Sequence, residues 1–216
     1  MLLFAALLGL SRYRAEGITM DDKLHQKIAE AIHTEYGWKT AEVALDEVER
    51  MRRGSCSFYT ARSTVRPLSY QPNYAVLRGS EVIGISDHDA VTKIVDACSA
   101  DAPADWWAEV ITRFHQDVGG GIVLSDESVR PDIVRKLAKA GKAFTPPAFG
   151  DGKQSISFLL LDPEPYILYS VKATRTSTGS FEIVKTKLLS ASSESGPSAQ
   201  TTPANVREKI EQALRS

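Results

Sequence analysis

Residues 101–124 limit the possible folds most. A helix-length stretch carries Trp106 and Trp107 and runs to Phe114. His115-Gln116-Asp117 follows, then Gly119-Gly120-Gly121, then the apolar run Ile122-Val123-Leu124. Trp106 or Trp107, Val110, Ile111 and Phe114 recur at helical spacing, and Glu109 and Arg113 form an i,i+4 pair on the wet side. Such a helix needs a large apolar surface to cover. The glycines predict its end and a flexible connection, and the β-rich run after them predicts re-entry into a sheet.

The preceding stretch strengthens this reading. Ser86 and Asp89 match an S-x-x-D helix-opening signature, and Val91, Ile94, Val95 and Cys98 continue as a stripe. Residues 86–114 therefore predict two antiparallel helices joined by a short turn. Upstream, Leu24, Ile28, Ala31 and Ile32 predict a helix capped by Thr19 and stopped at Gly37. A second helix is expected from Thr40 to Arg53, with Ala44, Val48 and Met51 inward.

Strands are expected around Cys56–Thr60, and 74–77 with 81–85 read as a hairpin across Arg78-Gly79-Ser80. Ile133, Val134 and Leu137 predict a helix ended by Gly141, and residues 146–152 a loop. Runs 155–162, 166–175 and 181–189, separated by short turns, predict an antiparallel meander. Helical and extended runs do not alternate regularly, which disfavours a doubly wound sheet. The expected fold class is α+β: a mostly antiparallel sheet of about five or six strands, with helices packed on one face. Residues 19–189 read as one domain, 190–202 as a Ser-rich linker, and 203–216 as an amphipathic helix with Val206, Ile210, Ala213 and Leu214 on one side.

Of the 216 residues, 43% are apolar and 25% charged, as in globular proteins, and the net charge is −1. That balance supplies no global field for nucleic acid or an anionic membrane. The basic residues Arg130, Arg135, Lys136, Lys139 and Lys142 match dipole complementation at the end of one helix, so nucleic acid is disfavoured as a partner. The apolar run Leu2–Leu10, within segment 1–18, is too short to span a bilayer. It fits the core of a signal peptide but lacks a preceding basic residue and an A-x-A site. The expected compartment is the cytoplasm, with export the alternative if 1–18 is a signal. Cys56 and Cys98 are expected as two small buried hydrophobes, with a single bridge the alternative in an oxidising compartment.

Chemistry-bearing motifs are sparse. There is no phosphate loop, G-x-S-x-G elbow, H-E-x-x-H or CxxC. The glycine triplet follows a helix and precedes a strand, the reverse of a phosphate cradle. The arginines at 50–53 fit the end of the helix expected there. Two His/carboxylate clusters remain, Asp87-His88-Asp89 and His115-Gln116-Asp117. They flank the expected helical hairpin, so antiparallel packing would bring them to the same end. His88, Asp89, His115 and Asp117 are the candidate ligand-binding residues, with no cofactor assigned. The leading expectation is a non-catalytic binding or protein-interaction domain, its C-terminal helix a candidate docking element. The alternative is a metal-dependent or hydrolytic enzyme using the His/Asp cluster.

Overall fold

The computed structural model describes residues 22–65, 71–99, 101–163 and 166–190. Segment 1–18, residues 191–202 of the linker and the helix expected at 203–216 lie outside the described residues. Four strands, β1 (Val43–Glu47), β2 (Ser57–Ser63), β3 (Asn73–Leu77) and β4 (Glu81–Gly84), form one antiparallel sheet in sequence order. A second sheet contains β5 (Ile122–Leu124), β6 (Ala148–Gly150), β7 (Ser155–Pro163), β8 (Tyr166–Arg175) and β9 (Phe181–Ser190). Its order is β5-β7-β8-β9, and β6 pairs with the remaining stretch of β7. The helices are α1 (Asp22–Tyr36), α2 (Ala90–Cys98), α3 (Ala104–Phe114) and α4 (Pro131–Lys139).

Side-chain alternation along the strands sets the layering. On β2, Tyr59 and Ala61 point outward to Ile28 and Ile32 of α1, while Phe58 points inward. On β7, Leu159 and Leu161 point outward to Ile133 and Leu137 of α4, while Phe158 and Leu160 point inward. The α2–α3 hairpin fills the space between the two inner faces. The order of layers is helix, sheet, helical hairpin, sheet, helix. Because each sheet is covered on both faces, several strands read as near-continuous apolar runs.

The centre of the stack is α3. Its buried residues include Trp106, Trp107, Ala108, Val110, Ile111 and Phe114, which lie all round the helix, as expected for an internal one. Successive positions are about 100° apart on a helix with 3.6 residues per turn. Trp106 meets Phe58 of the first sheet edge-on, with ring centroids 5.8 Å apart. Trp107 meets Phe149 and Phe181 of the second sheet at 5.3 and 5.9 Å. The tandem tryptophans thus address opposite sheets. After α3, Gly119, Gly120 and Gly121 all have positive φ, and a Cβ at Gly121 would lie 3.0 Å from Leu160 and from the Leu161 carbonyl. α3 already ends at Phe114 with His115 as its C-cap, so the triplet does not stop the helix; it forms the connection that brings the chain into β5 against β7.

The α+β class and antiparallel pairing are present, with the strands divided between two sheets and helices between and outside them. Four local expectations are corrected. Residues 43–47 form strand β1, paired along β2 from Val43↔Ser63 to Glu47↔Tyr59, and not the interior of a helix. Val43 and Leu45 alternate toward α1 as strand residues, whereas Val48 and Met51, beyond the strand, pack into the central core. Cys56 and Cys98 are not free: they form a disulfide with a Cα–Cα distance of 6.0 Å. The Ser86–Asp89 signature makes no capping bond. Asp89 precedes α2 in the left-handed region (φ 58°, ψ 29°), and Asp87 accepts the Gly84 amide. Finally, the expected loop at 146–152 contains β6. Among the described residues, no helix is long and apolar enough to cross a membrane.

Candidate functional site

Two concavities bear on function. The first lies where the N-terminal end of α2 meets the C-terminal end of α3. Asp87, His88, Asp89, His115 and Asp117 line it, with Thr92 and Phe181 on its walls, and its volume is about 180 Å³. The antiparallel hairpin therefore brings all four candidate residues to one pocket.

Their bonds restrict what they can do there. His115 sits one residue past α3, where its amide donates to Ile111 O at 3.0 Å. Its Nε2 lies 3.2 Å from the Phe181 carbonyl, which can only accept, so Nε2 carries a proton. In the neutral ring Nδ1 then holds a lone pair, and it accepts the Asp117 amide at 3.3 Å. Nε2 thus ties the end of α3 to β9, and Nδ1 closes the turn that follows the helix. His88 stands in solvent at the same pocket. Its side chain is 96% exposed, and its Nε2 lies 2.9 Å from Asp89 Oδ2. The Asp117 carboxylate is 3.9 Å from His115 Nδ1, an ion pair only if the ring protonates. Among the described residues, no group of three or more His, Cys, Asp or Glu side chains is placed to hold a metal ion.

The second concavity is larger, about 440 Å³, and lies between the Arg50–Arg53 segment, the start of α3 and edge strand β5. Its floor is apolar: Met51, Trp106 and Val123 are buried, and Ile122 is 48% exposed at the rim. Trp106 Nε1 donates to Met51 O at 2.7 Å, tying the first wall to α3. Arg50 Nη2 reaches Glu109 Oε1 at 3.0 Å, and Arg113 Nε reaches Glu109 Oε2 at 3.0 Å. Arg113 Nη1 continues to Asn73 Oδ1 at 2.8 Å, linking this network to β3. The disulfide anchors the same wall, since Cys56 exchanges backbone bonds with Arg53 across a tight turn.

The other charges of this cleft have no such partners. Among the described residues no cation is bonded to Asp105 or Glu127, nor to Asp126 beside them, and no carboxylate to Arg53. Partial burial raises the Asp105 carboxyl above its ordinary value, and the carboxylates of Asp126, Glu127 and Glu109 raise it further. The positive N-terminal end of α3 favours one acidic residue in its first turn. Four carboxylates around that turn exceed this need.

Locally, Asp105 and Ser125–Ser128 suit helix starts, and Arg50–Arg53 suits a helix end. Nothing local in the sequence brings them together; the β5–β7 pairing and the strand at 43–47 do. Of the basic set near α4, Arg130 pairs with Asp132 at 3.0 Å and Lys136 stands 5.1 Å from the Tyr166 ring centre. No protein-family model, curated protein or solved structure matches the chain.

Proposed function

We propose that the protein is a non-catalytic binding module, and that it holds a segment of a partner protein in the cleft between Arg50–Arg53 and β5. The observation carrying this reading is an apolar floor with the half-exposed Ile122 at its rim, bordered by charges that the fold leaves without partners. Interfaces combine an apolar centre with a polar rim in this way. Panning a displayed random-peptide library on the full chain, with Ile122→Ser as counter-target, tests it. Enriched sequences that bind the wild type and lose Ile122→Ser are expected. Enrichment that ignores the substitution, or none at all, rejects the cleft.

The enzymatic alternative keeps one supporting observation, the meeting of both His/Asp clusters in a single pocket. It requires His115 to give up a backbone bond before either nitrogen can serve as base or ligand. Activity or metal retention lost in both His88→Ala and His115→Ala, with the fold intact, would favour it over the binding reading.

The Cys56–Cys98 disulfide supports an oxidising compartment over the cytoplasm expected from the sequence. A mass two hydrogens below the reduced value in protein trapped directly from its source is the expected result. Free thiols there would return the assignment to the cytoplasm.

A further inference from the structure

We infer that the segment taken by this cleft carries a lysine or arginine, whose charged head is read by Asp105 and Glu127 while its stem lies over Ile122 and the apolar floor. The inference rests on the binding reading above and adds the chemistry of the partner. Three observations converge on it.

The first is charge complementarity. The wall formed by the first turn of α3 and the residues after β5 presents two carboxylates, Asp105 and Glu127, that no described cation neutralises, and Asp126 adds its charge from beside them. Glu109 is different, since both its oxygens are held by Arg50 and Arg113. A positive group placed beside Asp105 and Glu127 offsets both the partial burial and the neighbouring carboxylates that raise the Asp105 carboxyl.

The second is the class of cation. No three of these acidic side chains are placed to hold a metal ion. An ammonium or guanidinium needs no fixed coordination shell, and its long apolar stem suits a cleft with an acidic rim and an apolar floor.

The third concerns the β5 edge. Strand addition to β5 would require its outward backbone groups. The Val123 carbonyl, however, already accepts the Ser128 hydroxyl at 3.2 Å, and the Ser125 amide donates to the same hydroxyl at 2.8 Å. Ser128 thus closes part of the edge, and recognition falls to side chains. Arg53, on the facing wall, is available to a backbone carbonyl or carboxylate of the same segment.

Calorimetric titration of the full chain with three capped peptides tests this: Gly-Val-Lys-Val-Lys-Val-Gly and its norleucine and glutamate counterparts. The lysine peptide is expected to bind at least about tenfold more tightly than the norleucine peptide, with the ratio falling toward one at about 0.5 M salt. Asp105→Asn with Glu127→Gln should remove that ratio while leaving norleucine-peptide binding unchanged; Glu127→Gln alone should halve it if the double variant does not fold. Equal binding of all three peptides, dependent on Ile122, overturns the basic-residue inference and leaves the cleft reading standing. Tighter binding of the glutamate peptide overturns the inference in favour of Arg50 and Arg53. Failure of all three to bind rejects both.

Discussion

In the pocket between the ends of α2 and α3, His115 gives each ring nitrogen to a backbone partner, and His88 pairs with Asp89 out in solvent. In the cleft beside β5, the side chains of Asp105, Glu127 and Arg53 have no ion-pair partner among the described residues, beside a half-exposed isoleucine. Both concavities hold charged and titratable groups. They differ in whether the fold itself uses those groups. Polar groups satisfied internally contribute to stability, whereas like charges left together lower it and persist more readily where a ligand compensates them.

Breaking the shared scaffold should have the largest effect. The disulfide closes a loop with a sequence separation of 42. Replacing Cys56 and Cys98 by Ala is expected to cost about 4 kcal/mol on the chain-entropy account, read by denaturant unfolding. Loosening of the Arg50–Arg53 wall would weaken peptide binding as well. Trp106→Phe is more selective. The ring still packs on Phe58, but Met51 O loses its donor, at a cost of about 1–3 kcal/mol. Binding at the cleft should fall, while the His115 imidazole resonances stay in place.

His115→Ala probes the other side of the comparison. Two hydrogen bonds disappear, so a loss of about 1–2 kcal/mol in unfolding free energy is expected, with peptide affinity unchanged. A drop in affinity without a drop in stability would reverse the roles assigned to the two sites.

The smallest effect has the opposite sign. Asp105 has a raised pKa in the folded chain, so its ionised form is less favourable there than in the unfolded chain. The resulting destabilisation is present at neutral pH. It shrinks as pH falls through the folded-state pKa and vanishes below the unfolded value. Since Asp105 is solvent-exposed and screened, Asp105→Asn should stabilise by only about a few tenths of a kcal/mol at pH 7 and by nothing in acid. Thermal melts at pH 7 and pH 3 check this. A stabilising change that weakens binding of a basic peptide would be the mark of a recognition residue.

Much of the scaffold was legible because its signals are local and mutually consistent. The Trp106–Phe114 stripe, the re-entry into a sheet at Ile122–Leu124, the stop at Gly37 and the three long runs of the meander each agree with what surrounds them. Residues 40–51 misled because Ala, Glu and Arg favour a helix, while pairing of Val43–Glu47 with β2 overrides that propensity. The disulfide was beyond reach, since a separation of 42 residues says nothing about the distance between Cys56 and Cys98 in space. The His/Asp pocket could be anticipated from hairpin geometry alone. The cleft could not, because Arg53, Asp105, Ile122 and Glu127 come from three separate parts of the chain and each has an ordinary local role.

The central claim is that recognition uses the cleft and not the His/Asp pocket. Mapping amide and indole NMR shifts of the full chain during titration with the lysine peptide tests it directly. Shifts are expected at the Trp106 indole N–H and the amides of Ile122 and Glu127, with Thr92, His115 and Phe181 unmoved. Shifts centred on Thr92, His115 and Phe181, with the Trp106 indole silent, would contradict it.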